Sequence, residues 1–225
     1  YIAVERIKME MDKIMESEDP QVGFQLLFQS GLNNWIKGMK GITFSKEHVE
    51  KIIQSIRKTK DPLLRWAIVL SPFQAEERMI FLKHMRFSKK EIHAINKLFL
   101  AFAVFQDGLN NKEIKRCLIQ SDDRICLRAI ELLFLLGYIH HLEEQQWKQI
   151  VLKMDQKLKV RKVKDLAVSG KDLINTFQEP PGPWIKALLH DLLDQVIYRE
   201  IPNEKNILIK QAKKIKEGKL DERKN

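Results

Sequence analysis

At 225 residues, 44% of them hydrophobic, the chain is long and apolar enough for one large or two small packed cores, and no run of it approaches the apolar length of a membrane span. Nine Gly and seven Pro against many Leu, Ile, Lys and Glu leave few places for strand hairpins, so the composition points to helices. The net charge of +10 suits a polyanionic partner, while two cysteines, Cys117 and Cys126, build neither a disulfide framework nor a metal-ligand pair and favour a reducing, cytoplasmic setting.

In chain order, Tyr1 to about Glu16 reads as an amphipathic helix with Ile2, Val4, Ile7, Met11 and Ile14 on its apolar side, ended by Asp19-Pro20. It begins without signal-peptide grammar, and the expectation is a chain cut from something longer on its N-terminal side. Arg6 and Glu10, one turn apart, are expected to pair on one face, with Glu5 beside them. A second helix runs from Gln21 to a glycine cap at Gly31, and GLNNWIKGMKG follows as a turn-rich link. Ser45 caps the next helix, and Asp61-Pro62 opens another whose LLRWAIVL core reads as a buried helix. Ser71-Pro72 is expected to start a helix ending near Met85, and Ser88 a long one through Phe105. Shorter helices follow at Lys112 to Ile119 and Asp122 to Gly137, then Leu142 to Leu158. The last helix runs from Asn203 to about Glu217. The expected fold is all-α, an elongated stack of about ten to twelve helices.

Val163 to Glu204 holds two helix starts of a special kind. Ser169 or Gly170 can cap a short helix to Phe177, and Pro180, Pro181, Gly182 and Pro183 force a rigid turn into a longer one carrying a stripe from Trp184 to Ile197. Such starts present free N–H groups and partial positive charge to an anion, though capped helix pairs also serve as plain architecture. The stripe makes Trp184 a core residue by expectation. Charge is placed to match an anion. Gln146 to Leu173 carries eight basic and three acidic residues, Lys205 to Asn225 the same numbers, and the remainder sums to zero. The candidate phosphate contacts are Arg161, Lys162, Lys164, Ser169, Gly170, Lys171, Gly182 and Lys186. A solvated lysine-rich surface would show the same composition.

No catalytic residue is assigned. His190-Asp191 with Asp194 is similar to the doublet of metal-dependent phosphohydrolases, but further ligands would have to come from His140-His141 far along the chain, and no metal site is assigned either. A helix-hairpin-helix on duplex DNA is disfavoured because Pro183 follows Gly182 and removes a donor.

Three pieces carry a family likeness: VERIKMEMDKIM, then GFQLLFQSGLNNWIKGM, then DLAVSGKDL with PGPWIKALLHDLLDQVI and PNEK. Together they resemble the C-terminal portion of bacterial CCA-adding enzymes, the tRNA nucleotidyltransferases of the class shared with bacterial poly(A) polymerases. That resemblance implies the end of a neck at 1–41, a helical body at 42–141 and a basic helical tail at 142–225, with the catalytic head lying before Tyr1. It also implies tRNA as partner, gripped at acceptor arm and elbow so that the head can add C, C and A to the 3′ end. Mg2+, CTP and ATP then belong to the full-length enzyme, and no cofactor to this chain. By the same resemblance Glu5, Arg6 and Glu10 are structural neck residues, while Lys37 stands where the family more usually has proline. The chain alone is expected to be inactive, off the membrane, and a monomer or weak dimer. The alternatives are the same portion of a bacterial poly(A) polymerase, or a helical RNA/DNA-binding or protein-interaction scaffold.

Overall fold

A computed structural model describes residues 3–36, 39 and 44–221, and among these there are twelve α-helices, two 3-10 turns and no strand. In order they are α1 (Val4–Glu16), α2 (Pro20–Gln29), a 3-10 turn (Leu32–Trp35), α3 (Lys46–Ile56), α4 (Pro62–Leu70), α5 (Ala75–His84), α6 (Lys89–Gln106) and α7 (Asn111–Gln120). Then come α8 (Asp123–Leu135), α9 (His141–Lys157), a second 3-10 turn (Val163–Asp165), α10 (Gly170–Phe177), α11 (Pro183–Tyr198) and α12 (Lys205–Asp221). The all-helical expectation holds. Lys37, where the resemblance implies a more usual proline, and Ile2 lie outside the described residues.

The chain forms two compact units, Tyr1–Asn110 with Ser121–Val151, and Asn111–Gln120 with Leu152–Asn225. The first is built around α4, whose residues from Leu64 to Leu70 are all buried. Asp61 accepts from the Leu63 N–H at 2.9 Å and Pro62 takes the first turn, so the helix starts on local chemistry alone. Its continuous apolar run needs cover on every side, which α1, α3, α6 and α8 supply. Each Leu, Ile or Val side chain of that run taken out of water contributes about 1.5–3 kcal/mol before entropy.

Two cations are drawn into this unit. Arg65, 3% exposed, donates to the carbonyls of Met15 at 2.5 Å, Ser17 at 2.8 Å and Thr59 at 2.7 Å, so it closes the C-terminal end of α1 against α4. Lys8 bonds Asp12 at 2.6 Å and Glu91 at 3.2 Å, with its ammonium 4.0 Å from the Phe87 ring centre.

Ser45, Asp61 and Ser88 cap their helices as expected, and Gly31 and Gly137 take left-handed backbone just past α2 and α8. Two local expectations are corrected. Ser71 does not open a helix but closes α4, its hydroxyl donating to the Ile68 carbonyl at 2.8 Å; α5 starts at Ala75, where Glu77 accepts from the Gln74 N–H at 2.7 Å. A carboxylate three residues into the helix outweighs a proline that could have sat elsewhere. Arg6 does not pair with Glu10: Glu10 takes Lys13 at 3.1 Å and Glu5 takes Arg86 at 3.5 Å, all on exposed side chains where either geometry is worth little.

In the second unit α11 is central. Leu188, Leu189, Leu192, Leu193 and Ile197 are buried, and α7, α10, α12 and the second 3-10 turn pack around them.

Candidate nucleic-acid interface

The segment from Arg161 to Lys186 is built from helix ends, and each expected phosphate contact has a definite place in it. The Arg161 guanidinium turns back on α9, donating to the Asp155 carboxylate at 2.7 Å, the Asp155 carbonyl at 3.1 Å and the Leu158 carbonyl at 3.2 Å. It caps a helix C-terminus, where a cation also meets the negative end of the dipole, and is mostly spent there. The backbone N–H groups of Arg161 and Lys162 both donate to Asp165, at 3.0 and 2.9 Å, and these two bonds hold its carboxyl below the usual aspartate range.

α10 begins with a reciprocal cap. Asp172 accepts from the Ser169 N–H at 2.8 Å and hydroxyl at 2.6 Å, while its own N–H donates to the Ser169 oxygen at 3.3 Å. Lys205 pairs with the same carboxylate. The Lys205 ammonium first, then the Ser169 donors, hold the Asp172 carboxyl far below its ordinary value. The expected anion site at this helix start therefore already contains an anion. Gly170 answers to packing: a Cβ there would stand 3.0 Å from the Ile185 side chain on α11.

The start of α11 differs. Gly182 provides no side-chain cap, Pro183 removes one donor, and no acidic residue stands in the first turn, so the helix brings no carboxylate of its own to its positive end. Trp184, expected in the core, is half-buried. Its indole N–H donates to the Pro180 carbonyl at 2.9 Å, its ring meets Phe177 edge-on at 5.8 Å, and the Lys216 ammonium stands 4.6 Å from its centre while pairing with Glu179. These contacts tie the end of α10 and the start of α11 to α12.

Lys162, Lys164, Lys171 and Lys186 are exposed, and none lies within ion-pair distance of a carboxylate among the described residues. Lys162 and Lys164 lie at the second 3-10 turn, Lys162 just before it, Lys171 on α10 and Lys186 on α11, elements of one unit that pack together. That unit carries 20 basic and 12 acidic residues, +8 of the chain's +10.

Three residues in this region escaped the sequence reading. Asp172 was signalled by the S-G-K-D spacing of a capping box. Asn203 joins distant backbone, accepting from the Ala167 N–H at 2.8 Å and donating to the Asp165 carbonyl at 2.9 Å, and Lys205 reaches Asp172; neither contact has a local signal. His190 is exposed, and among the described residues no group of three or more His, Cys, Asp or Glu side chains could hold a metal. Among the described residues no helix is long and apolar enough to cross a membrane.

Residues 57–212 match the family model described as "tRNA nucleotidyltransferase domain 2 putative", and residues 1–39 match the one described as "Probable RNA and SrmB- binding site of polymerase A". The chain belongs to the tRNA nucleotidyltransferase domain 2 family. Among its relatives, the CCA-adding enzyme of Levilactobacillus brevis is 28% identical over 92% of this chain and 50% of the relative, and that of Bacillus cytotoxicus 26% over 92% and 50%. The chain thus spans about half the length of the curated relatives it matches. The crystal structure of the Bacillus stearothermophilus CCA-adding enzyme in complex with CTP shares its fold, with a TM-score of 0.76 and 21% identity over 98% of this chain and 54% of that one.

Proposed function

We propose that this chain is the tRNA-binding C-terminal portion of a CCA tRNA nucleotidyltransferase, which holds tRNA by its acceptor arm and elbow while an N-terminal head adds C, C and A to the 3′ end. The observation that carries this reading is the concentration of +8 in the second unit, with Lys162, Lys164, Lys171 and Lys186 exposed on or beside packed elements and outside ion-pair distance of any described carboxylate. Family membership and the CCA-adding relatives supply the substrate class. In this reading residues 1–41 end the neck, 42–141 form the body and 142–225 the tail, and the enzyme works in the cytoplasm as a monomer or weak dimer. Mg2+, CTP and ATP act in the head. The lysines and the uncapped start of α11 contact phosphates, while Arg161, Ser169 and Gly170 shape the backbone that presents them.

The test is competition binding of the chain against labelled tRNA, with duplex DNA of equal length as competitor, alongside incubation with tRNA lacking its 3′ end, Mg2+, CTP and ATP. Preference for tRNA and no extension are expected. Equal affinity for duplex DNA, or extension by the purified chain, contradicts the reading.

A further inference from the structure

The second unit contains a half-open cavity of about 420 Å³ where the start of α7 meets the C-terminal ends of α9 and α11. That size falls within the range of small-ligand pockets. Its lining mixes apolar side chains, among them Met154, Leu158, Val196 and Ile201, with polar ones from Asn111, Lys115, Lys157, Lys159 and Glu200.

Lys115 is the most enclosed cation of this lining. Its side chain is 13% exposed, and it donates to the Ile197 carbonyl and the Glu200 carboxylate, each at 2.8 Å. An ammonium has three N–H donors, so one remains beyond these two bonds. Glu200 stands at φ +56, just past α11, in the left-handed backbone that glycine fills most easily. Backbone preference alone would not select glutamate at this position, yet its carboxylate faces the cavity's lysine. The Lys115 hydrogen bond, with Lys157 adding its charge, keeps that carboxyl below the ordinary glutamate range. Lys157 and Lys159 are exposed, and neither lies within ion-pair distance of a carboxylate among the described residues.

Three ammoniums against one carboxylate select an anion, and the apolar part of the lining selects a body that is not fully hydrated. Inorganic phosphate would leave those apolar side chains wet, and an alkyl acid would leave the Asn111 amide and the Glu200 carboxylate facing methylene groups. A heterocycle with donors and acceptors on its edge, carrying a phosphate, satisfies a lining of both kinds. We propose that this cavity binds one nucleoside phosphate, its base against Met154, Leu158, Val196 and Ile201 and its phosphate toward Lys157 and Lys159. The nucleotide is either an unstacked residue of bound RNA, in which case the site rests on the tRNA-binding reading, or a free mononucleotide, in which case it does not.

The test titrates the whole chain with CMP, AMP and, at matched ionic strength, inorganic phosphate, following backbone amide signals, and measures tRNA affinity across salt for the parent, Ile201→Trp and Lys159→Gln. Shifts at Lys115, Glu200 and Ile201 with CMP or AMP but not with phosphate are expected, and about tenfold weaker mononucleotide binding by Ile201→Trp. If tRNA affinity falls with it at an unchanged salt slope, the source is RNA; if tRNA affinity is unmoved, the site takes free nucleotide. Cavity binding of CMP by a chain that does not bind tRNA supports the cavity and contradicts the proposed function. Shifts reproduced by inorganic phosphate, or no shifts with CMP and AMP while helical Ile201→Trp keeps parental tRNA affinity, overturn the proposal. Should Ile201→Trp lose its helical circular dichroism, Lys159→Gln decides: weaker CMP binding supports the site, and parental CMP binding overturns it.

Discussion

Arg65 and Lys8 are buried cations of the first unit, and each fastens α1 to helices distant in sequence. Arg65 serves three carbonyls, so Arg65→Met fills much of the space but leaves buried acceptors without a donor. The expected loss is about 3 kcal/mol or more in urea unfolding, against a few tenths for the exposed Arg6→Met. Equal midpoints for the two variants would show that Arg65 does not hold the end of α1. Glu91 adds a pH dependence. Burial alone would raise its carboxyl, but the Ser88 donors and the Lys8 ammonium bring it below its ordinary value of 4.5. A carboxyl whose folded pKa lies below the unfolded one contributes stability that is complete above the unfolded value and is lost as pH falls through the folded value. Thermal unfolding should therefore show the parent losing stability below about pH 4.5, with Glu91→Gln losing less over the same window. Identical profiles would remove Glu91 from the acid response.

At the scale of elements, the start of α10 is where local capping and the proposed phosphate binding compete. Ser169→Ala removes a reciprocal cap and should lower stability by about 1 kcal/mol. Asp172 occupies the positive end of that helix and draws Lys205 to itself, so Asp172→Asn should free both for a phosphate and tighten tRNA binding about twofold or more. A loss of tRNA affinity in a folded Asp172→Asn protein would mean that this helix start does not face the RNA. The same element marks what sequence can reveal. Starts at Ser45, Asp61-Pro62, Ser88, Ser169 and Pro183 are legible because cap and helix lie within four residues. The start of α5 was missed because proline outweighed Glu77 in the reading, although Gln74 and Glu77 carried the local signal. The Lys216–Trp184 contact joins residues of α12 and α11, and the Lys115–Glu200 pair joins residues 85 apart, so helical periodicity carries no trace of either. For the candidate site, charge placement and helix starts were legible, whereas the inward turn of Arg161 needed the geometry of α9.

On the scale of the whole molecule, the first unit has nearly balanced charge and the second carries +8, so the basic surface is a property of one unit. Lys171→Ala removes one exposed point charge beside the start of α10 and should weaken different tRNAs by similar factors, lowering the salt slope by about one unit without changing helical content. Base-specific recognition would instead show as unequal factors among tRNAs. Tail contact with phosphates is the central claim, and binding of the whole chain to tRNA across a salt series tests it most directly. With four lysines releasing counterions, the logarithm of affinity should fall against the logarithm of salt with a slope of about −3 or steeper, and flatten by about one unit in Lys171→Ala. Affinity indifferent to salt, or no tRNA binding by the folded chain at low salt, would contradict it.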